Sequence, residues 1–296
     1  MKSGFVSVVG RPSAGKSTLV NALCGHKVSI VSPVPQTTRN RIRGIVTLPE
    51  GQLVFLDTPG YHLSERKMNL RMQGLAVKSL EETDLVLYVV DPTREPGAEE
   101  SAIAGLVAAA ERPVVVAVNK ADLIDRSEDS RLRQVRLFIS DALPRAQIHE
   151  VSARSGAGLD GLLNKLVELA PVGEPFYDAE YYTDQTPEFR VAEILREHAI
   201  NATRQEVPHS LYVEIADLEM REEPYTHLWA RAFLVVERDS QKGILVGKGG
   251  ERIRAIVEAA ADECSRIFPY PVKLDVRVKT RPKWRSSESV LEGLLY

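Results

Sequence analysis

A short glycine-rich stretch near the start limits what this chain can fold into. Gly10-Arg11-Pro12-Ser13-Ala14-Gly15-Lys16-Ser17 fits the pattern GxxxxGK[S/T]. It follows an apolar run at 5–9 and leads into a helix-forming stretch at 17–24, the setting in which the pattern has chemical meaning. Glycines let the backbone curl so that amide hydrogens converge on phosphate oxygens, and the helix N-terminus adds its positive end. Lys16 is placed to reach β- and γ-phosphates, and the Ser17 hydroxyl to hold Mg²⁺. Such a loop belongs at the carboxyl edge of a parallel sheet.

The rest of the first half supplies that sheet. Residues 85–90 (LVLYVV) and 113–118 (PVVVAV) are continuous apolar runs, as expected of strands covered by helices on both faces. Further strands are predicted at 44–48, 53–56 and 148–151, with helices at 97–110 and 159–169. The order β-α-β-β-α-β-α-β-α-β-α predicts a doubly wound α/β domain over 1–171. Pro171, Gly173, Pro175 and Pro187 punctuate a linker at 172–188. A second domain follows over 189–296, ordered α-β-β-α-α-β.

Polar motifs stand at the predicted strand ends. Asp57-Thr58-Pro59-Gly60 follows 53–56; its aspartate can hold Mg²⁺ through water and the Gly60 amide can sense a γ-phosphate. Asn119-Lys120-Ala121-Asp122 follows 113–118. One carboxylate accepts the guanine N1–H and N2–H₂ donors together, whereas adenine leaves it unpaired, so Asp122 specifies guanine. Asn119 ties the loop, Lys120 lays its stem over the ring, and Ser152-Ala153 aims an amide at guanine O6. Together these pieces resemble a translation-factor-class GTPase domain. Many such GTPases orient the attacking water with Gln directly after DxxG. Here Tyr61 holds that position, and His62 after it reads as a surface histidine. Slow intrinsic hydrolysis, stimulated from outside, is the expectation.

In the second half, Gly247-Lys248-Gly249-Gly250 lies between two predicted helices within an IxVGxxGxxI pattern. This resembles a type II KH domain, an α+β fold whose GxxG loop packs against a single-stranded nucleic-acid backbone. Lys248 and Arg252 are the candidate phosphate contacts. Across 273–285, Lys273, Arg277, Lys279, Arg281, Lys283 and Arg285 face only Asp275. Trp284 sits among them, read equally well as a base-stacking ring or as a packed one. A short helix is predicted at 288–295.

Composition adds bounds. The 296 residues suit two domains, and 44% hydrophobic with 27% charged residues excludes wholesale disorder. The net charge of −3 gives no global pull toward nucleic acid or anionic membrane. Cys24 and Cys264 are read as reduced, partly buried thiols. Residues 1–9 are too short for a signal peptide, and no run approaches the ~18 apolar residues of a membrane span. A soluble protein of a reducing compartment is expected.

The whole set resembles the Era family of bacterial ribosome-assembly GTPases. Gln36-Thr37-Thr38-Arg39, Pro187-Glu188-Phe189, Glu206-Val207-Pro208 and Lys283-Trp284-Arg285 extend the likeness over nearly the whole chain. The resemblance implies GTP/GDP and Mg²⁺ as ligands, 16S rRNA near its 3′ end as partner, and the 30S subunit as the place of action. It also implies a cytoplasmic monomer with peripheral inner-membrane contact. By resemblance Thr38, rather than Thr37, binds Mg²⁺ and the γ-phosphate. Lys16, Thr38 and Gly60 then stabilise the transferred phosphoryl group, with no general base assigned. Ser13-Ala14 stands where the family often has Asn-Val. Two other classes stay open: a metabolic P-loop kinase or ATPase, and a GTP-regulated membrane or scaffold tether whose KH-like domain binds protein.

Overall fold

A computed structural model describes residues 1–61, 67–124 and 130–294. His62 and residue 295, where the helix expected at 288–295 ends, lie outside the described residues. Two compact units emerge. The first is built from Met1–Val31 and Thr38–Asp184, the second from Ser32–Thr37 and Gln185–Gly293.

The first unit is centred on β1 (Lys2–Val9), whose Val6 and Val8 are fully buried. Its neighbours are β3 (Gly51–Asp57) and β4 (Leu85–Val90), both parallel to it. Outside them lie β2 (Ile42–Leu48), antiparallel to β3, and β5 (Val114–Val118) and β6 (Gln147–Glu150), parallel to β4 and each other. One face packs on α1 (Lys16–Cys24) and α5 (Leu159–Leu169), through Leu19, Val20, Leu162 and Leu166. The other packs on α2 (Lys67–Glu82), α3 (Ala98–Ala109) and α4 (Ser130–Ala142), through Leu80, Ile103, Val107, Val135 and Ile139. Burial on both faces is why the central runs carry no polar alternation. The chain leaves β1 for opposite sides of the sheet at β3 and β4, and the crevice at that switch point is where such sheets bind ligands.

Residues 172–184, within the stretch read as a linker, are bonded to the first unit. The Ile45 amide donates to the Tyr182 carbonyl at 2.9 Å, and Thr183 Oγ1 donates to the Arg43 carbonyl at 2.8 Å. The buried Gln52 side chain accepts from the Phe176 and Tyr177 amides at 2.8 and 3.0 Å and donates to the Tyr177 carbonyl at 2.8 Å. This covers the open edge of β2, an edge that would otherwise invite pairing with another chain.

The second unit begins with α6 (Pro187–Asn201). Thr186 caps it by accepting from the Phe189 amide at 3.3 Å, and Pro187 takes the first turn. Strands β7 (Tyr212–Arg221), β8 (His227–Val236) and β9 (Val272–Thr280) form a sheet in that order, the first pair antiparallel and the second parallel. Between β8 and β9 run α7 (Asp239–Val246) and α8 (Glu251–Ile267). Alternate β8 residues Leu228, Ala230, Ala232 and Leu234 join α6 and α8 in one core. Val34 packs on that same core, Ser32 Oγ donates to Asn201 Oδ1 at 2.7 Å, and Arg196 Nη2 donates to the Thr37 carbonyl at 2.7 Å. The unit closes with α9 (Glu288–Leu294).

Cys24 and Cys264 are not joined in a disulfide, and burial pushes the Cys24 thiol up to about 12. Among the described residues no helix is long and apolar enough to cross a membrane. One sequence expectation is corrected. Trp284 is 1% exposed, donates its indole N–H to the Ser210 carbonyl at 2.9 Å and meets Tyr212 at 4.7 Å between ring centroids. The ring is a core element and is not presented for stacking on a base. Truncation by Trp284→Ala should lower the stability of the second unit by about 3–5 kcal/mol, read from urea unfolding followed by circular dichroism.

Candidate nucleotide site and nucleic-acid loop

The loop after β1 is shaped by its own backbone and by two lysines. The Ala14 amide donates to the Arg11 carbonyl at 3.3 Å, and Lys16 Nζ donates to the Gly10 and Arg11 carbonyls at 3.1 and 3.0 Å. Gly15 has φ +92°, and a Cβ there would stand 2.3 Å from Asn119 Nδ2, so only glycine fits. Burial pushes the Lys16 ammonium down to about 8, with Asp57 and Glu100 pulling the other way.

Ser17 Oγ and Thr38 Oγ1 are 2.8 Å apart, which brings the hydroxyl at the start of α1 to that of the Gln36-Thr37-Thr38-Arg39 segment. Asp57 is fully buried at the end of β3. Burial pushes its carboxyl up, and Lys16 with the nearby hydroxyls of Ser17, Ser29 and Thr38 opposes this. Neither carboxylate oxygen has a hydrogen bond of acceptable geometry. Two hydroxyls and an unsatisfied buried carboxylate form a hard-oxygen set that suits Mg²⁺. Among the described residues there is no His/Cys/Asp/Glu cluster of three or more that could hold a metal ion. Thr58 Oγ1 donates to the Val8 carbonyl at 2.8 Å and so ties the DTPG turn to β1. The Tyr61 amide donates to the Gly10 carbonyl at 3.3 Å. The Tyr61 ring packs with Val9, Ala76, Leu80 and Val107 around an apolar cavity, a position for core packing and not for orienting water.

The loops at 119–122 and 152–153 are tied to the loop after β1. Asn119 Nδ2 donates to the Ala14 carbonyl at 3.0 Å, and Asn119 Oδ1 accepts from the Ala153 amide at 3.0 Å. Lys120 Nζ donates to the Ser13 carbonyl at 2.9 Å, and Ser152 Oγ donates to Asp122 Oδ1 at 2.7 Å. All four motifs therefore meet at one edge of the first unit. Sequence reasoning missed two contributors. Asp91, at the end of β4, takes Lys120 Nζ at 2.5 Å and accepts from Thr93 Oγ1 at 2.7 Å. Asn21 Oδ1 accepts from the Val28 and Ser29 amides at 2.8 Å and shapes the turn after α1. The logic that selected Asp57, an acid directly after an apolar strand, would have found Asp91.

In the second unit, Gly247 has φ +73°, and a Cβ there would stand 2.9 Å from that of Arg252. Arg252 donates to the Ile244 carbonyl, and Arg254 Nη2 donates to the Gly249 carbonyl at 3.0 Å. These arginines brace the GxxG loop from its own helix. Among the described residues the exposed ammonium groups of Lys248 and Lys283 make no hydrogen bond or ion pair. Other cations of the basic strip are engaged. Lys279 Nζ lies 3.0 Å from the Phe233 ring centroid, Arg281 Nη1 donates to Tyr212 Oη at 3.4 Å, and Arg285 pairs with Glu237.

The 50S ribosome-binding GTPase family matches residues 5–120, and the KH domain family matches residues 206–285. GTPase Era of Treponema denticola is 46% identical over the full length of both chains. The chain belongs to the Era family of GTPases. Two solved Era structures overlay with TM-scores of 0.93, each covering 99% of this chain and 98% of the other. One, 35% identical, is a tyrosine-to-alanine variant of Aquifex aeolicus Era bound to GDP·AlF₄⁻. The other, 34% identical, is Era in complex with MgGDPNP and nucleotides 1506–1542 of 16S ribosomal RNA. Membership makes this chain a GTPase, with a KH domain behind its GTPase domain.

Two expectations test the site. Asp122→Asn should weaken GDP binding by about 100-fold or more and turn preference toward xanthosine nucleotides, measured by competitive titration, because the base-edge donor pattern no longer matches. At Gly60 an added Cβ would lie 2.8 Å from the Pro12 backbone. Gly60→Ala should therefore retain GDP but lower kcat by about tenfold or more in single-turnover hydrolysis.

Proposed function

We propose that this chain is a GTP-driven switch that binds small-subunit rRNA near its 3′ end through the KH unit and assists 30S assembly, as a cytoplasmic monomer. The observation that carries this is the full-length likeness to an Era that holds MgGDPNP and 16S nucleotides 1506–1542. The guanine-reading frame of Asn119, Asp122, Ser152 and Ala153 and the left-handed glycines of the GxxG loop agree with it.

In this reading the backbone N–H groups of the 10–17 loop, Pro12 excepted, and Lys16 take up phosphate charge, and the Gly60 amide faces the γ-phosphate. Ser17, Thr38 and, through water, Asp57 hold Mg²⁺, which when bound neutralises charge between the β- and γ-phosphates. Tyr61 leaves the attacking water without a side chain of its own, so hydrolysis is slow until another molecule orders it. Chain connectivity supports a coupling of nucleotide state to the KH unit: Ser32–Thr37 belongs to the second unit, and the next residue, Thr38, reaches Ser17. GTP shifts the population of arrangements only through such differential contacts. Lys248, Lys279 and Lys283 meet RNA phosphates beside the GxxG loop. Peripheral inner-membrane contact is carried by the resemblance alone, and co-sedimentation with anionic vesicles tests it.

RNA of 16S sequence 1506–1542 should bind about tenfold more tightly with a GTP analogue than with GDP, at one fixed salt concentration. Equal affinities would sink the switch. Gly247→Asp with Gly250→Asp should abolish RNA binding and leave GTP hydrolysis intact. An unmodified protein without salt-sensitive RNA binding would hand the KH unit to a protein partner instead.

A further inference from the structure

Arg11 follows Gly10 directly, in the first turn of the phosphate loop, yet it is 6% exposed. A buried guanidinium needs partners. Its Nε is ion-paired with the carboxylate of Glu100, which is 1% exposed on α3. Its Nη1 donates to the Glu95 carbonyl at 3.3 Å. Tyr88, fully buried on β4, donates its hydroxyl to the second carboxylate oxygen of Glu100. Glu100 also sits in the first turn of α3, where the helix end favours negative charge. A strand, a helix and the phosphate loop are thus joined by one buried charge relay, and neither Tyr88 nor Glu100 belongs to a nucleotide motif.

The backbone that this relay fixes is the backbone that holds Lys16. The carbonyls of Gly10 and Arg11 flank the Arg11 side chain and both accept from Lys16 Nζ, at 3.1 and 3.0 Å. The Gly10 carbonyl also accepts from the Tyr61 amide at 3.3 Å, on the DTPG side. Rotating the peptide planes beside Arg11 would move the ammonium and the first residue after DTPG together. The P-loop amides cradle the α- and β-phosphates, whereas the lysine spans β and γ. Misplacing Lys16 therefore harms GTP and its transition state more than GDP.

We propose that Arg11, Glu100 and Tyr88 are positioning residues that set Lys16 and thereby the discrimination of GTP from GDP. The inference rests on the nucleotide reading of the P-loop, which GDP binding by the unmodified protein checks first. The deciding variant is Arg11→Met with Glu100→Met, because replacing a whole buried ion pair with apolar groups tends to leave stability in place. It should keep its thermal midpoint and weaken binding of a GTP analogue about tenfold more than binding of GDP, with a loss of about tenfold in kcat. Unchanged analogue affinity and kcat would overturn the proposal, and so would equal weakening for both nucleotides with a lowered midpoint. Should the double variant not fold, Tyr88→Phe decides: a selective loss of about threefold for the analogue supports the positioning role, and none rejects it.

Discussion

An ammonium group in a nearly waterless place governs the carboxyl edge of the first unit. Lys16 is 6% exposed, and burial alone would drive it toward the neutral amine. It stays useful because carbonyls and carboxylates surround it: Gly10 and Arg11 through the backbone, Asp57 and Glu100 through charge. Those two carboxylates are themselves buried and pushed up by burial, so each depends on cations to remain ionised. Positive and negative groups there are mutually conditional, and neither set survives in that environment without the other. The low dielectric that makes this arrangement demanding also strengthens every charged contact the ammonium makes.

The second unit handles charge in the opposite way. Apart from Arg190 and Arg196, which are buried on α6, its cations lie on or near the surface and many are occupied by neighbours within the same domain. Arg221 stacks on Trp229, Lys279 on Phe233, and Arg231 bonds to Asp275. Aromatic faces and single carboxylates hold these long side chains in place at modest cost, and the charged heads stay wet. A near-neutral total is what such pairing produces. It leaves local positive points such as Lys248 rather than a broad basic field.

Much of this was legible in the residue order because it is local. Continuous apolar runs mark strands buried on both faces, and polar motifs at their ends mark the crevice, so the six-stranded sheet and the four nucleotide motifs were readable. What escaped was long-range. Glu100 meets Arg11, Asp91 meets Lys120 and Gln52 meets Tyr177 across separations from 29 to 125 residues, and none of these pairs has a period or a spacing. The proline-rich stretch at 172–188 signals only that no helix or central strand forms there. Its attachment rests on backbone groups of Arg43 and Ile45 on β2 and on a buried glutamine of β3 that looks like any other polar residue. Trp284 shows the same limit: composition placed it among cations, while its fate was set by a carbonyl at Ser210.

The assignment of Ser32–Thr37 to the second unit means that the modules cannot be separated with one cut in the gene. A fragment starting after the linker would lack Val34 from its core and leave Arg196 without its carbonyl acceptor. A fragment ending there would carry an apolar segment stripped of its packing. The boundary in space is crossed more often than the boundary in sequence, which ties the inheritance of the two halves together: a recombination event that exchanged one KH domain for another would also have to match a loop encoded far upstream.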